Sequence, residues 1–148
     1  MNLENKVAII TGSSSGIGQA IAIRFAKEGA KIVMADIDED GAKNTLSQIS
    51  DSGIFIKTDV SNEQQVKNLV DKTLGKFNKL DIVVNSVGVY SPLEADIAML
   101  PVKDFSNVME TNFTSIFLLT KYAMPHLLKP RGNIINIASS LGLIPEAE

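Results

Sequence analysis

The fold is decided by the stretch Thr11-Gly12-Ser13-Ser14-Ser15-Gly16-Ile17-Gly18, which follows the apolar run Val7-Ala8-Ile9-Ile10. An apolar β-branched run, a glycine-rich turn and an amphipathic segment in this order are typical of a strand, a tight loop and a helix. We predict that Gly12 permits a turn that a Cβ would obstruct, that Gly16 lets a pyrophosphate approach the main chain, and that Gly18 lets the helix pack closely on the sheet. The helix N-terminus would then offer backbone amides and its positive dipole end to phosphates.

Three further residues of this turn, Ser14, Ser15 and Ile17, are predicted to belong to the same binding site, where serine hydroxyls can add hydrogen-bond donors. The glycine spacing is Gly-x3-Gly-x-Gly, which differs from the Gly-x-Gly-x-x-Gly of the commonest dinucleotide fingerprint. A Gly-Ser-rich connection without any ligand therefore stays a second interpretation of the turn taken alone.

Short β-branched runs and longer amphipathic stretches alternate along the rest of the chain, as in parallel strands joined by helical crossovers. The predicted strands are residues 6–11, 31–35, 54–57, 81–84 and 133–138. The predicted helices are 16–28, 39–49, 63–77 and one that begins at Phe105, is expected to bend at Pro125, and is ended by Pro130 and Gly132. The segment 85–101 is predicted to be a functional loop. Right-handed crossovers between apolar strands predict a doubly wound parallel α/β sheet of the Rossmann type, ordered 3-2-1-4-5 and covered on both faces.

Asp36 lies at the end of the second predicted strand, 18 residues after Gly18. An acid near this offset hydrogen-bonds the adenosine ribose hydroxyls in dinucleotide-binding folds. A carboxylate there repels a 2′-phosphate, and Ser15 stands where a Lys or Arg would be the natural phosphate partner. We therefore expect NAD rather than NADP as the cofactor. The alternative is that Asp36 is a solvated acid within the acidic stretch 36–40.

Composition argues against several other classes of protein. The 148 residues contain 14 Lys plus Arg and 17 Asp plus Glu, a formal net charge of −3, with no Cys and one His. No disulfide or thiolate metal site can form without cysteine, which fits a cytoplasmic protein, and His126 alone cannot build a multi-histidine metal site. An acidic chain lacks the basic face that nucleic acids and anionic membranes require. No apolar run approaches the roughly 20 residues of a membrane span, and none has the pattern of a signal peptide.

Four further segments follow predicted strands or lie in the last predicted helix: Asp59-Val60, Asn85-Ser86-Val87-Gly88, Asn112 and Asn136-Ile137-Ala138-Ser139-Ser140-Leu141-Gly142. Together with the glycine turn, they make the whole chain resemble the short-chain dehydrogenase/reductase family. The resemblance implies a nicotinamide cofactor, contacts of Asp59 and Val60 with its adenine, and a cofactor-binding motif that includes Asn85 and Gly88.

The resemblance also implies catalytic roles for two residues. Ser139, which stands three residues before Gly142, would polarise the carbonyl oxygen of a substrate. Asn112 would fix a water molecule in the path of the proton. Ser140 is the alternative choice for the catalytic serine.

Other interpretations of these residues stay open. Asp59 and Asn85, taken without the family, are ordinary turn residues that bond neighbouring backbone. Asn112 falls on an apolar stripe, where a structural amide with satisfied hydrogen bonds is as good an explanation as a catalytic one. Val87 departs from the alanine that the family prefers at this position.

The family's acid/base pair, a Tyr-x3-Lys sequence, is formed by neither tyrosine, since Glu94 follows Tyr90 at that spacing and His126 follows Tyr122. In the family this tyrosine stands about thirteen residues after the catalytic serine, which here is beyond Glu148. We therefore expect residues 1–148 to be a single NAD-binding domain that is incomplete at its C-terminus and inactive alone. The unpaired apolar edge of the fifth strand would make it marginally stable.

The expected function is hydride transfer between NAD and a secondary alcohol or ketone, with sugars, 3-oxoacyl compounds and small ketones all open as substrates. For the full-length protein a homo-oligomer is expected, with a small molecule as its other partner. The alternative is a truncated NAD-binding pseudoenzyme or partner-binding fragment without turnover.

Overall fold

A computed structural model describes residues 2–90, 97–129 and 131–139. Its strands are β1 (Val7–Thr11), β2 (Lys31–Asp36), β3 (Gly53–Lys57), β4 (Ile82–Asn85) and β5 (Asn133–Asn136). They form one parallel sheet in the order β3-β2-β1-β4-β5. This order confirms the predicted Rossmann-type α/β fold.

The helices are α1 (Gly16–Lys27), α2 (Glu39–Ile49), α3 (Glu63–Phe77), α4 (Val102–Met109) and α5 (Ser115–Leu127). A π-helical turn, Glu110–Thr114, joins α4 to α5, and short 3-10 turns occur at Ser50–Ser52 and Ile97–Met99. The start of α3 follows from its sequence, because the Asn62 side chain accepts a hydrogen bond from the Gln65 N–H at 3.0 Å. The left-handed residue Asn78 ends the same helix.

Two apolar layers cover the sheet, one on each face, because successive side chains of a strand point in opposite directions. On one face, Ile9 of β1 packs in a cluster with Leu69 of α3 and Leu119 of α5. On the other face, its neighbour Ile10 packs in a cluster that includes Ala22 of α1 and residues of α2. The helices thus occupy the two faces and leave the carboxyl edge of the sheet open.

Several predicted boundaries differ from the structure by one or two residues. β1 begins at Val7, β2 extends to Asp36, β3 begins at Gly53, β4 spans Ile82–Asn85, and α1 ends at Lys27. The larger correction concerns β5, which was predicted to reach residue 138 and ends at Asn136. Its neighbour β4 ends at Asn85, so the Ile137 N–H, which donates to the Asn85 carbonyl at 2.9 Å, makes the last bond between the two segments.

The last predicted helix also differs from the expectation. The helix begins at Val102, whereas the apolar periodicity predicts a start at Phe105. The periodicity misses the first turn because the Val102 side chain is exposed and does not belong to the repeating apolar positions. The helix passes Pro125 and ends at Leu127. The predicted stop at Pro130 and residues 91–96 of the long loop lie outside the described residues.

The prediction that both sheet faces are covered holds for the centre of the sheet. Every residue of β1 and β4 is buried, whereas β5 is exposed at three of its four positions and forms an edge. Within the described residues, no helix combines the length and apolar character that crossing a bilayer requires.

Candidate cofactor-binding site

A cleft of about 1100 Å³ opens at the carboxyl edge of the sheet. Parallel open sheets bind ligands at this edge, at the point where the strand order reverses, which here lies between β1 and β4. The cleft is lined by most of the predicted site residues: Gly12, Ser15, Gly16, Ile17, Gly18, Asp36, Asp59, Val60, Gly88, Asn112 and Ser139. Ser14 and Asn85 are buried and do not line the cleft; Ser140 lies outside the described residues.

Backbone contacts in the glycine turn leave no room for a side chain at Gly12 and Gly18. Gly12 has a φ of +64°, and a Cβ there would lie 3.0 Å from the carbonyl oxygen of Ser86. A Cβ on Gly18 would collide with the carbonyl group of Gly12 and lie 3.1 Å from the Thr11 carbonyl oxygen. Gly18 therefore lets α1 start directly against the end of β1, as predicted from its position.

The start of α1 is open to the cleft. Ser15, the residue before the helix, is extended and exposed, and no acidic residue lies in the first helical turn. A Cβ placed on Gly16 would meet no other atom within 4 Å. Backbone amides at this helix end are therefore accessible to an anion, which the helix dipole also favours.

Asp36 connects the end of β2 to the glycine turn. Its Oδ2 accepts the Ser14 N–H at 2.9 Å, and its Oδ1 accepts the Asp38 N–H at 3.1 Å. The buried Ser14 hydroxyl donates to the Asp38 carbonyl at 2.8 Å. Ser14 thus contacts both Asp36 and Asp38, and its contact with a cofactor stays a prediction.

Asp59 follows β3 and forms a tight turn. Its Oδ1 accepts hydrogen bonds from the N–H of Ser61 at 3.0 Å and from the hydroxyl of Ser61 at 2.7 Å. This is the local backbone bonding expected of an aspartate after a strand. Val60 is buried and lies beside Asp59 in the wall of the cleft.

Two side chains that sequence reasoning did not select tie the strand ends together. The Thr11 hydroxyl accepts the Ser86 N–H at 3.1 Å and donates to the Val84 carbonyl at 3.4 Å. Asn136 accepts a hydrogen bond from the Asn85 amide at 2.8 Å. The sequence shows a polar residue at each of these strand ends. The residue to which it hydrogen-bonds, however, depends on the order of the strands in the sheet.

Asn112 lies in the π-helical turn between α4 and α5. Its side-chain oxygen accepts the Val89 N–H and its amide nitrogen donates to the Val89 carbonyl, both at 2.8 Å. These two bonds satisfy the amide, as the structural interpretation of this residue requires. They also fix the segment after β4, where Val87 and Gly88 line the cleft.

The two tyrosines lie in different environments. Tyr90 is 84% exposed and lines the cleft. The Tyr122 hydroxyl of α5 donates to Glu63, the first residue of α3, at 2.8 Å, and the Lys121 ammonium donates to the same carboxylate at 2.8 Å. The Lys121 ammonium and then the Tyr122 hydroxyl lower the pKa of Glu63 by hydrogen bonding to its carboxylate.

The carboxyl edge of the sheet thus brings together a strand-turn-helix glycine loop, an acid at the end of β2 and a serine after β5, at the edge where open parallel sheets bind ligands. Comparison with known families agrees, since the short chain dehydrogenase family matches residues 6–148. The chain belongs to this family, which confirms the resemblance drawn from its motifs.

Three similar proteins illustrate the range of the family. L-fucose dehydrogenase of Mus musculus is 40% identical over 147 residues, which cover 97% of this chain and 52% of the mouse protein. Secoisolariciresinol dehydrogenase of Forsythia intermedia is 40% identical over 139 residues, covering 93% of this chain and 50% of the plant protein. The 3-oxoacyl-[acyl-carrier-protein] reductase FabG of Vibrio cholerae is 37% identical over 150 residues, covering 99% of this chain and 60% of the bacterial protein. The chain thus spans about half the length of the curated relatives it matches.

Proposed function

We propose that the chain is the NAD-binding part of an oxidoreductase that transfers a hydride between nicotinamide and a secondary alcohol or ketone. The observation that carries this proposal is the Asp36 carboxylate, which lines the cleft and is held at the end of β2 by two backbone amides. A carboxylate offers about four acceptor positions. With one N–H bound to each oxygen, both oxygens keep room to accept a ribose hydroxyl.

The same carboxylate supports NAD over NADP. A phosphate on the ribose 2′ position would bring negative charge against Asp36, and the next residue in the chain is the uncharged Ile37. The carboxylate would therefore favour the free 2′-hydroxyl, which donates a hydrogen bond to it.

The glycine turn and the start of α1 support the pyrophosphate position. The space above Gly16, the exposed Ser15 and the absence of acid in the first helical turn suit an anion at this helix end. When bound, the nicotinamide cofactor supplies the atom that gives or takes the hydride. The chain itself supplies the amides that fix the cofactor's phosphates.

Ser139 and Asn112 are proposed to act at the opposite end of the cleft from Asp36. Ser139 lies just past β5, and its hydroxyl is suited to polarise a carbonyl oxygen by hydrogen bonding. Asn112 holds the main chain of Val89 and so keeps the wall formed by Val87 and Gly88 in place. Its role in holding a water molecule stays a prediction.

The substrate is proposed to be an alcohol or ketone of the sugar or 3-oxoacyl class. The names of two similar proteins, an L-fucose dehydrogenase and a 3-oxoacyl-[acyl-carrier-protein] reductase, support this range. Turnover assays over both classes, run beside cofactor binding on a protein that carries a Tyr-x3-Lys pair together with these residues, separate an enzyme from a nucleotide-binding protein without turnover.

The cofactor proposal is tested by measuring NADH and NADPH dissociation constants from cofactor fluorescence. We expect the unmutated chain to bind NADH more tightly, and Asp36→Ala to weaken NADH binding by about 1 to 3 kcal/mol because the ribose hydrogen bonds are lost. Asp40→Asn is the matched control, since it removes an exposed carboxylate from the same region. Tighter binding of NADPH by the unmutated chain, or an unchanged NADH affinity in Asp36→Ala, would refute the proposal.

We also propose that the protein self-associates through the apolar surface of α4 and α5. Four large side chains recur at four-residue spacing and are 41–66% exposed: Phe105, Met109, Phe113 and Phe117. An apolar row of this size favours burial against a partner. Sedimentation velocity tests the idea: Phe113→Ser with Phe117→Ser should reduce the mass of the particle, while the control Ile97→Ser should not.

A further inference from the structure

A lysine stands directly beside Asp36 in the sheet. β2 and β3 are parallel, and in their register Asp36 pairs with Lys57. The Thr58 N–H donates to the Asp36 carbonyl at 2.9 Å, so the pairing continues to the ends of both strands. Neighbouring strands lie about 4.8 Å apart, a distance that the four-carbon stem of a lysine easily covers.

The side chains of Asp36 and Lys57 stand on the same face of the sheet. Ala35 and Ile56, which precede them, both belong to the apolar cluster on the α3 and α5 side. Because side chains alternate along a strand, Asp36 and Lys57 point to the opposite face, which α1 and α2 cover.

On that face, Glu39 in the first turn of α2 pairs with Lys57. The Lys57 ammonium donates to Glu39 Oε1 at 2.8 Å. This hydrogen bond lowers the pKa of Glu39. The basic group nearest to Asp36 in the sheet register is therefore already bound to an acid.

We propose that Glu39 determines cofactor specificity by holding Lys57, so that this lysine does not serve as the counter-ion of a ribose 2′-phosphate. The inference rests on the proposed use of NAD and adds a second determinant to Asp36. Asp36 repels the phosphate directly, whereas Glu39 binds the Lys57 ammonium that would otherwise attract the phosphate. An ammonium released from Glu39, on the strand next to Asp36, is the group that a 2′-phosphate would recruit.

A second ion pair in the same segment provides a control. Asp40, adjacent to Glu39, binds Lys43 at 2.7 Å, and both members lie on α2. Replacing Asp40 with Asn removes one negative charge, as Glu39→Gln does, but releases Lys43 instead of Lys57. The two substitutions therefore separate the release of a particular lysine from a general change of charge.

The experiment measures NADH and NADPH dissociation constants for the unmutated chain and for Glu39→Gln, Lys57→Met, the Glu39→Gln/Lys57→Met double variant and Asp40→Asn. The Glu39–Lys57 pair is exposed, so its loss should leave the fold intact, which thermal unfolding by circular dichroism checks. We expect Glu39→Gln to tighten NADPH binding about three- to fivefold relative to NADH, an effect of the size of an exposed ion pair. The gain should disappear in the double variant and shrink as salt is raised. Asp40→Asn should leave the ratio of the two constants near that of the unmutated chain.

An unchanged ratio in Glu39→Gln, a gain that survives Lys57→Met, or an equal gain in Asp40→Asn would overturn the role of Glu39. If the unmutated chain prefers NADH and Glu39→Gln has no effect, the Glu39 inference alone fails. A preference of the unmutated chain for NADPH refutes the proposed use of NAD, and the Glu39 inference with it.

Discussion

Replacing Gly18 with alanine tests whether the start of α1 is fixed by contact with the end of β1. The added Cβ would collide with the Gly12 carbonyl group, whose carbon lies 2.7 Å from the Cβ position. Both partners are main chain, so neither can rotate away and the turn or the helix must move. Overpacking of this kind costs about 1 to 3 kcal/mol, which outweighs the gain of up to about 1 kcal/mol from alanine's higher helix propensity.

Gly75→Ala is the matched control for this substitution. Gly75 lies inside α3, is exposed, and a Cβ there would meet no atom within 4 Å. The same chemical change should therefore stabilise the protein by about 0.5 to 1 kcal/mol through helix propensity alone. Both variants add one methyl group to a helical glycine, but only at Gly18 does backbone stand against it.

Urea unfolding followed by circular dichroism gives the free energy of unfolding of each variant. We expect Gly18→Ala to lose about 1 to 2 kcal/mol relative to the unmutated chain, a fall of a few degrees in melting temperature. NADH affinity should fall as well, because the Gly12 carbonyl belongs to the turn that we propose binds the cofactor phosphates. If Gly18→Ala is as stable as Gly75→Ala, the close contact between α1 and β1 does not exist as described.

Two further predictions concern groups away from the cleft. Asp81 is 3% exposed and accepts the Val7 N–H at 2.9 Å, so Asp81→Ala should cost about 1 to 3 kcal/mol by leaving that N–H buried without a partner. Asp81→Asn, which can keep the acceptor, should cost less in urea unfolding, and equal losses would show that the hydrogen bond is not the cause. For Glu63, hydrogen bonds from Lys121 and then Tyr122 lower the pKa in the folded state, so its contribution to stability is complete above about pH 4.3 and is lost as the pH falls through the lower folded value. The difference in melting temperature between the unmutated chain and Glu63→Gln should therefore be present at pH 7 and vanish in acid, and a difference that persists at low pH would contradict this assignment.

The strand order and the acid at the end of β2 could be predicted because both follow from local patterns. A strand-turn-helix unit with three glycines limits how the chain can continue, and Asp36 is recognisable by its distance from Gly18. The boundaries of strands were less predictable, since β5 ends where its neighbour β4 ends. That limit depends on pairing between Asn85 and Asn136, which are remote in the sequence.

The polar contacts of the site were less predictable than its location. The bonds of Thr11 to the β4 segment and of Asn112 to Val89 join residues far apart in the sequence. The π-helical turn that carries Asn112 has no distinct sequence pattern, and the apolar periodicity through 105–119 predicts an unbroken α-helix instead. The burial of Ser14 depends on its bond to Asp38 in the next βα unit, which single-residue chemistry does not reveal.

The hydrogen bond between Asp36 and the Ser14 N–H has a consequence for any attempt to change the cofactor by design. If NAD binds as proposed, one carboxylate both selects the ribose and anchors the glycine turn, so substitutions at this position alter two parts of the proposed cofactor site at once. An alanine at position 36 would ease entry of a phosphorylated ribose while loosening the loop that holds the pyrophosphate. Asparagine, whose side-chain oxygen has the reach of the carboxylate and can still accept the Ser14 N–H, is therefore a better starting point for such redesign than alanine.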